Sequence, residues 1–278
     1  MMTAATLEHT TATAQGREVS FRDTLASEWI KLKTLRSTYI TLGLGFSLSV
    51  AATGLFAMAV GNTYDGWSEA QQASFEPLMF AMVGNVIALI VATVFGVMTV
   101  SGEYANGMVR QSMIATPRRT RVLWSKVLLV FGITTVLGLA TVTGMFLVGQ
   151  AVLGAYGLPT TSLEDPDALR LVIGLGAATP LFPVIGLALG FILRSTAGAI
   201  TAALALLWLP LVFNDMLPAW AQENILTLLP GQAVDSFTIA HAVDVPTNSP
   251  PLVGVVLVIG WLTLFLGSAQ LLLRRRDV

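Results

Sequence analysis

Long apolar runs separated by short polar stretches organise this chain. Crossing about 30 Å of hydrocarbon takes roughly 20 apolar residues at 1.5 Å of helical rise each. Six segments meet or approach that length: Tyr39–Val60, Pro77–Val100, Val127–Leu153, Leu171–Leu193, Ala197–Phe213 and Leu252–Leu273. None contains an Asp, Glu, Lys, Arg or His. Helices bounded by lipid require this, because a charge at the bilayer centre costs about 3 kcal/mol or more. The fifth segment follows closely on the fourth, which predicts a tight helical hairpin around Arg194, Ser195 and Thr196. Pro180 and Pro183 either break the fourth helix or kink it for packing. Gly186 and Gly190 form a GxxxG pair that marks a close helix contact. The expected fold is therefore all-α and polytopic, with six transmembrane helices in a single domain over residues 20–273.

The polar stretches have their own patterns. Residues 1–19 are rich in Thr and Ala without apolar periodicity, which predicts a disordered tail. Ser20 is placed as an N-cap with Asp23 at the third helical position. Phe21, Leu25, Trp29, Leu32 and Leu35 then share one helical face, with Arg22, Lys31 and Lys33 elsewhere. Residues 20–37 thus read as a helix lying in the membrane interface, Trp29 at headgroup depth. The apolar run after it is too long for a cleavable signal segment and is expected to remain as the first span. The loop Ser101–Lys126 carries turn signals at Gly102 and Asn106–Gly107. A short helix is predicted over Met108–Ala115, then a new helix start at Thr116–Pro117. Residues 214–251 mix apolar residues with prolines, as expected either of short helices dipping into the outer leaflet or of a compact external cap.

Composition and charge sharpen this picture. Of the 278 residues, 54% are hydrophobic and only 11% charged, against about 25% charged in soluble domains. A large soluble domain is excluded. The net charge of −1 hides a strong segregation. Fourteen of the fifteen basic residues fall in the N-terminal segment, the 101–126 loop, the 194–196 turn and the basic tail 274–278. Those flanks balance at +8, and the alternate flanks, with Arg170 as their one basic residue, at −9. The positive-inside rule then predicts cytoplasmic N- and C-termini, and an even number of spans agrees.

Missing chemistry is equally informative. There is no Gly-Lys pair, so the chain has no Walker phosphate loop. There is no cysteine, and His9 and His241 lie outside the spans, which leaves metal and haem sites unsupported. Without a carboxylate in the spans, coupling to a proton or sodium gradient would need exposed carbonyls at a broken helix. The polar residues within the spans are neutral, including Asn85, Thr93, Thr99, Thr134, Thr141 and Gln150. They either make interhelical hydrogen bonds or form a weakly polar lining for an amphiphilic compound.

Three stretches together resemble a known family. Glu28-Trp29-Ile30-Lys31-Leu32-Lys33-Thr34-Leu35-Arg36-Ser37-Thr38 runs directly into span one. Ser101-Gly102-Glu103-Tyr104, with Gly107 and Arg110, follows span two, and Ala115-Thr116-Pro117-Arg118-Arg119 leads into span three. In these, the chain resembles the permease subunits of bacterial ABC-2 type transporters, particularly small exporters associated with antibiotic resistance. Ser101 stands where many relatives have Thr. The resemblance implies a type V exporter architecture: an elbow helix that includes Phe21, Leu25, Glu28, Trp29 and Leu32, a cytoplasmic coupling helix, and re-entrant helices before the last span. It also implies two permease copies, expected as a homodimer in the bacterial plasma membrane, and two copies of a separate ATPase subunit. ATP and Mg²⁺ would bind that subunit; the permease itself would be no enzyme, would hold no cofactor and would bind no nucleic acid. By the same resemblance Glu103, Tyr104, Asn106, Gly107, Met108, Arg110 and Gln111 would dock on the ATPase. Asn85, Leu89, Thr93, Leu204 and Trp208, on spans two and five, are the candidates for the substrate path. Two other functions compete: a non-transporting scaffold or sensor with a partner-binding cytoplasmic loop, and a gradient-driven carrier.

Overall fold

The computed structural model describes residues 20–105, 119–239 and 250–275, and its described residues are helical throughout apart from turns. Helix α1, Phe21–Thr34, starts where the sequence places it. The Asp23 amide donates to Ser20 Oγ at 3.2 Å, and the Ser20 amide donates to the Asp23 carboxylate at 2.9 Å. These reciprocal bonds satisfy two groups that a helix start leaves open. Leu35 is extended, so α1 meets α2, Arg36–Thr63, at an elbow.

A 3-10 turn, Tyr64–Gly66, and the short helices α3, Glu69–Ala73, and α4, Pro77–Phe80, lead to α5, Asn85–Ala105. Here the sequence reading needs correction. The second span begins at Asn85, not Pro77, because residues 81–84 turn and press against α2. The Gly84 amide donates to Thr53 Oγ1 at 3.2 Å, and a Cβ on Gly84 would fall onto the Ser49 carbonyl. Only a glycine lets the two backbones come this close. Helix α6, Arg119–Ala155, is 37 residues long. It spans about 55 Å at 1.5 Å per residue, far more than the hydrocarbon layer. The predicted helix over Met108–Ala115, its Thr116 cap and the N-terminal tail lie outside the described residues.

The fourth span is broken, one of the two outcomes expected of its prolines, into α7, Pro166–Ala178, and α8, Leu181–Leu193. They part at Thr179–Pro180, where Pro180 supplies no amide hydrogen to continue the ladder. The hairpin at 194–196 forms as expected. Arg194 ends α8 in the left-handed region at φ 51°, and Ser195 caps α9, Thr196–Phe213, by accepting from the Gly198 amide. Among the described residues, five helical stretches are long and apolar enough to cross a membrane: Arg36–Gly66, Asn85–Tyr104, Thr120–Ala155, Pro166–Leu193 and Pro251–Arg275. The fifth predicted segment, Ala197–Phe213, falls on α9, where a shorter apolar stretch runs over Thr196–Pro210 and Pro210 lies inside the helix. The segment after it forms 3-10 turns and two short helices, α10, Ala219–Asn224, and α11, Pro230–Thr238, before α12, Pro251–Arg275. Arg170 Nε donates to the Phe237 carbonyl at 3.0 Å and ties α11 to α7.

Helix α8 is the centre of the bundle, with every residue from Leu181 to Phe191 buried. A helix that is apolar all round has no face for water and is enclosed. Around it pack Phe95 and Val100 of α5, Leu123 and Val130 of α6, and Leu266 and Leu273 of α12. The α5–α8 contact is the tightest: a Cβ on Gly186 would lie 2.9 Å from Val97 Cγ2, and one on Gly96 would collide with the Pro183 carbonyl. The outer helices present a different surface. Leu44, Leu48 and Leu55 of α2 and Leu252, Val256, Ile259 and Leu264 of α12 are more than half exposed, as suits contact with lipid chains or another apolar surface.

Overpacking at a backbone contact typically costs about 1–3 kcal/mol. Gly96→Val should therefore lower the thermal midpoint of the purified protein by several degrees. Gly132→Ala, where nothing lies within 4 Å of the added carbon, should leave it within about 1 °C of wild type. Fluorescence-detected unfolding checks both.

Candidate functional site

At the end of the bundle that collects the basic flanks, three helices meet around four charges. Glu28 and Lys31 lie one turn apart on α1, Glu103 near the end of α5, and Lys126 in the second turn of α6. Lys126 Nζ is 2.6 Å from Glu28 Oε2 and 2.9 Å from Glu103 Oε1. Lys31 Nζ is 2.6 Å from Glu28 Oε1 and 3.0 Å from the same Glu103 oxygen. Each carboxylate thus holds both ammonium groups, and Lys126 also donates to the Thr99 carbonyl at 3.0 Å. The Glu28 and Lys126 side chains are only 5% and 6% exposed, while Lys31 keeps 34% and reaches water. Burial pushes the Glu28 carboxyl up, but attraction and hydrogen bonds from Lys126 and Lys31 outweigh it and hold the group below its ordinary value. Burial likewise lowers Lys31, and its bonds to Glu28 and Glu103 reverse the effect and leave it raised.

The cluster borders a cavity of about 410 Å³ between α1, the first turns of α2 and the last turns of α5, lined also by Thr38, Thr41, Phe95 and Met98. On the other flank of α5 the Arg194 guanidinium stands 5.7 Å from the centre of the Tyr104 ring, within cation–π range. The last turn of α5 is gripped from two sides, by the elbow and by the α8–α9 hairpin. It leads into residues 106–118, which lie outside the described residues.

Of the residues expected to dock on a partner, Glu103 and Tyr104 are the two described, and both are engaged inside this chain. Glu103 is 12% exposed. Asn106, Gly107, Met108, Arg110 and Gln111 lie outside the described residues. In the elbow, Glu28 and Thr24 turn inward, while Phe21 and Trp29 are 39% and 47% exposed and Leu25 and Leu32 are half-buried. The helix therefore shows its carboxylate to the bundle and its aromatic rings to the surroundings. Sequence reasoning counted Lys126 among the basic residues of the 101–126 loop and gave it no partner. Its pairing with Glu28, 98 positions earlier, carries no local signal.

A second cavity, of about 210 Å³, lies toward the opposite end, where the acidic flanks collect. Asn85 and Leu89 of α5, Phe182 of α8, Trp208 of α9, and Gln232 and Asp235 of α11 are among its lining residues. Three of the five substrate-path candidates, Asn85, Leu89 and Trp208, thus come together. Thr93 does not line it: its hydroxyl donates to the Leu89 carbonyl at 2.6 Å, and the residue is fully buried under α8. Leu204 is half-buried on α9 and is also absent from the lining. Asp235 escaped the sequence reading, where it stands as one acidic residue in an apolar and hydroxylated run. Burial pushes its carboxyl up to about 6.

A family model described as "ABC-2 family transporter protein" matches residues 24–209, from the elbow to the ninth helix. No curated protein matches the sequence.

The pH dependence of the four-charge cluster has a definite sign. A carboxyl depressed in the folded state stabilises above its ordinary pKa of 4.5 and loses that contribution as pH falls through the folded value. A raised lysine stabilises below 10.5 and loses its contribution as pH rises through the folded value. The contribution of the cluster to the thermal midpoint should therefore be nearly constant from about pH 5 to 9 and fall outside that window, while the raised carboxyl of Asp235 adds a separate decline of the midpoint as pH rises from about 4 to 6. Removing one partner of a buried pair costs about 3–5 kcal/mol. Lys126→Met should accordingly unfold at least about 5 °C below wild type at pH 7, with a smaller gap below pH 4, where protonation weakens the wild-type cluster too.

Proposed function

The chain belongs to the ABC-2 family of transporter proteins, and from that premise we propose that it is the permease subunit of an ATP-driven exporter of lipophilic or amphiphilic compounds. Members of this family are multi-pass membrane transport subunits and generally work with a separate ABC ATPase. A chain without a Gly-Lys pair has no phosphate loop of its own, in keeping with that division of labour. We place the basic end in the cytoplasm of a bacterial cell and pair two copies of the chain with two ATPase subunits, which hold the ATP and Mg²⁺. In this reading α9 completes the six spans as the fifth in chain order, returning through the membrane beside α8.

The observation that carries the proposal is the four-charge cluster. Force applied to the loop after Ala105 reaches α5 first. Because Glu103 is held by Lys31 and Lys126, α5 cannot shift alone; the elbow and the start of α6 move with it. The Arg194–Tyr104 contact passes the same displacement to the base of α9. Closure of the ATPase pair on ATP then rearranges α5 and α9, the two helices that supply Asn85, Leu89 and Trp208 to the second cavity. Its apolar walls with a few amide groups suit an amphiphile better than a small, highly charged solute.

The test is ATP-driven efflux from vesicles that hold the permease with its cognate ATPase. Glu103→Gln and, within the docking loop, Arg110→Glu should each reduce efflux and stimulated ATP hydrolysis at least about tenfold, equivalent to about 1.4 kcal/mol. Turnover is counted per folded permease in the vesicles, because removing a partner from the cluster also lowers stability. Wild-type turnover by both variants would remove the coupling role.

A further inference from the structure

We infer that the cavity between α5, α8, α9 and α11 is a binding site for a monocationic amphiphile, with the cationic head at Asp235 and the apolar body against Leu89, Phe182, Leu207 and Trp208. This rests on the transport reading and adds the charge of the compound to it.

Three observations converge on a cation. First, among the described residues Asp235 is the one ionisable residue lining this cavity, and its carboxylate has no hydrogen-bond or ion-pair partner among them. Isolated carboxylates in apolar surroundings are costly unless a positive charge joins them. Burial alone lifts the group to about 6, so at neutral pH most molecules carry the charge unpaired.

Second, the neighbouring elements supply no counter-charge. On α7, Arg170 donates to the Phe237 carbonyl instead, and Asp167 is exposed in the first turn. The Leu226–Leu228 turn has no charged residue, and neither has α12 before Arg274. His241 and Asp244, which follow α11, lie outside the described residues.

Third, the remaining polar groups add acceptors. Pro183 and Pro210 carry no N–H, so the carbonyls of Thr179 and Leu206, four residues earlier, lose their helical donors. Both residues line the cavity. Trp208 contributes the type of ring favoured beside organic cations. At about 210 Å³ the cavity is smaller than the roughly 300–1,000 Å³ of drug-sized ligand sites, which restricts the compound to about one aromatic ring with a small quaternary head.

The experiment is equilibrium binding of radiolabelled benzyltrimethylammonium to the purified full chain in nanodiscs of zwitterionic lipid, with benzenesulfonate as the anionic counterpart. Neither probe titrates between pH 5 and 8. At pH 7.5 the cation should bind at least tenfold more tightly than the anion. Its affinity should fall about tenfold by pH 5, where about one-tenth of a carboxyl with that pKa remains ionised. Asp235→Asn should lose at least tenfold in affinity and all of the pH dependence, and Asp235→Glu should keep the preference for the cation.

Equal binding of the two probes to wild type, or cation binding that ignores pH, would overturn the site; so would an Asp235→Asn variant that binds like wild type. The wild-type arms need no variant to fold. Neither ATP nor the ATPase is present, so the outcomes separate: cation binding without ATP-driven efflux removes the exporter reading alone, and efflux without selective cation binding removes this site alone.

Discussion

The joint between elbow and bundle depends on two carboxylates and two ammonium groups sharing one small, mostly dry volume. Glu28, Lys31, Glu103 and Lys126 come from three helices, and no pair among them is expendable. Were Lys126 missing, Glu28 would stay buried with Lys31 as its one remaining cation in the cluster. A buried pair adds little stability compared with apolar packing, but losing half of it is severe. That asymmetry suits a mechanical connection: it contributes modestly when intact and resists partial disassembly. It also explains the orientation of α1, whose carboxylate faces the bundle while Phe21 and Trp29 face outward.

The second constraint is the backbone break. Helices α4, α8 and α9 are each shaped by a proline, and α5 and α2 are brought together at Gly84. A continuous apolar helix from Leu171 to Leu193 would pack evenly along its length. The interruption at Thr179–Pro180 falls at the second cavity, which Ala178, Thr179 and Phe182 line. Tight α5–α8 packing around Gly96 and Gly186 sits between the two ends. The charge cluster at the basic end and the cavity at the acidic end therefore share α5 as a common rigid member.

The apolar periodicity, the charge segregation and the absent phosphate loop were all legible in the chain, because each follows from residue type and local spacing. So were the Ser20–Asp23 cap and the hairpin at Arg194, which depend on neighbours within four positions. The helix start that the sequence places at Thr116–Pro117 lies outside the described residues, and from Arg119 α6 runs unbroken into the third span, as that start implies. The late start of α5 was missed: residues 77–84 are as apolar as the rest of the span, and contact with Ser49 and Thr53 accompanies their turn.

What the sequence by itself determined is the class: apolar helices in a membrane, one end basic, the other acidic, with an elbow helix ahead of the first span and no Walker phosphate loop. Only the tertiary structure decided which charges meet. Glu28 and Lys126 are separated by two long helices, and Asn85, Trp208 and Asp235 come from three elements far apart in the chain. Helical propensity and hydropathy act over one or two turns and are written locally. Pairing across the bundle is settled by which helix faces pack, and that is a property of the whole chain at once.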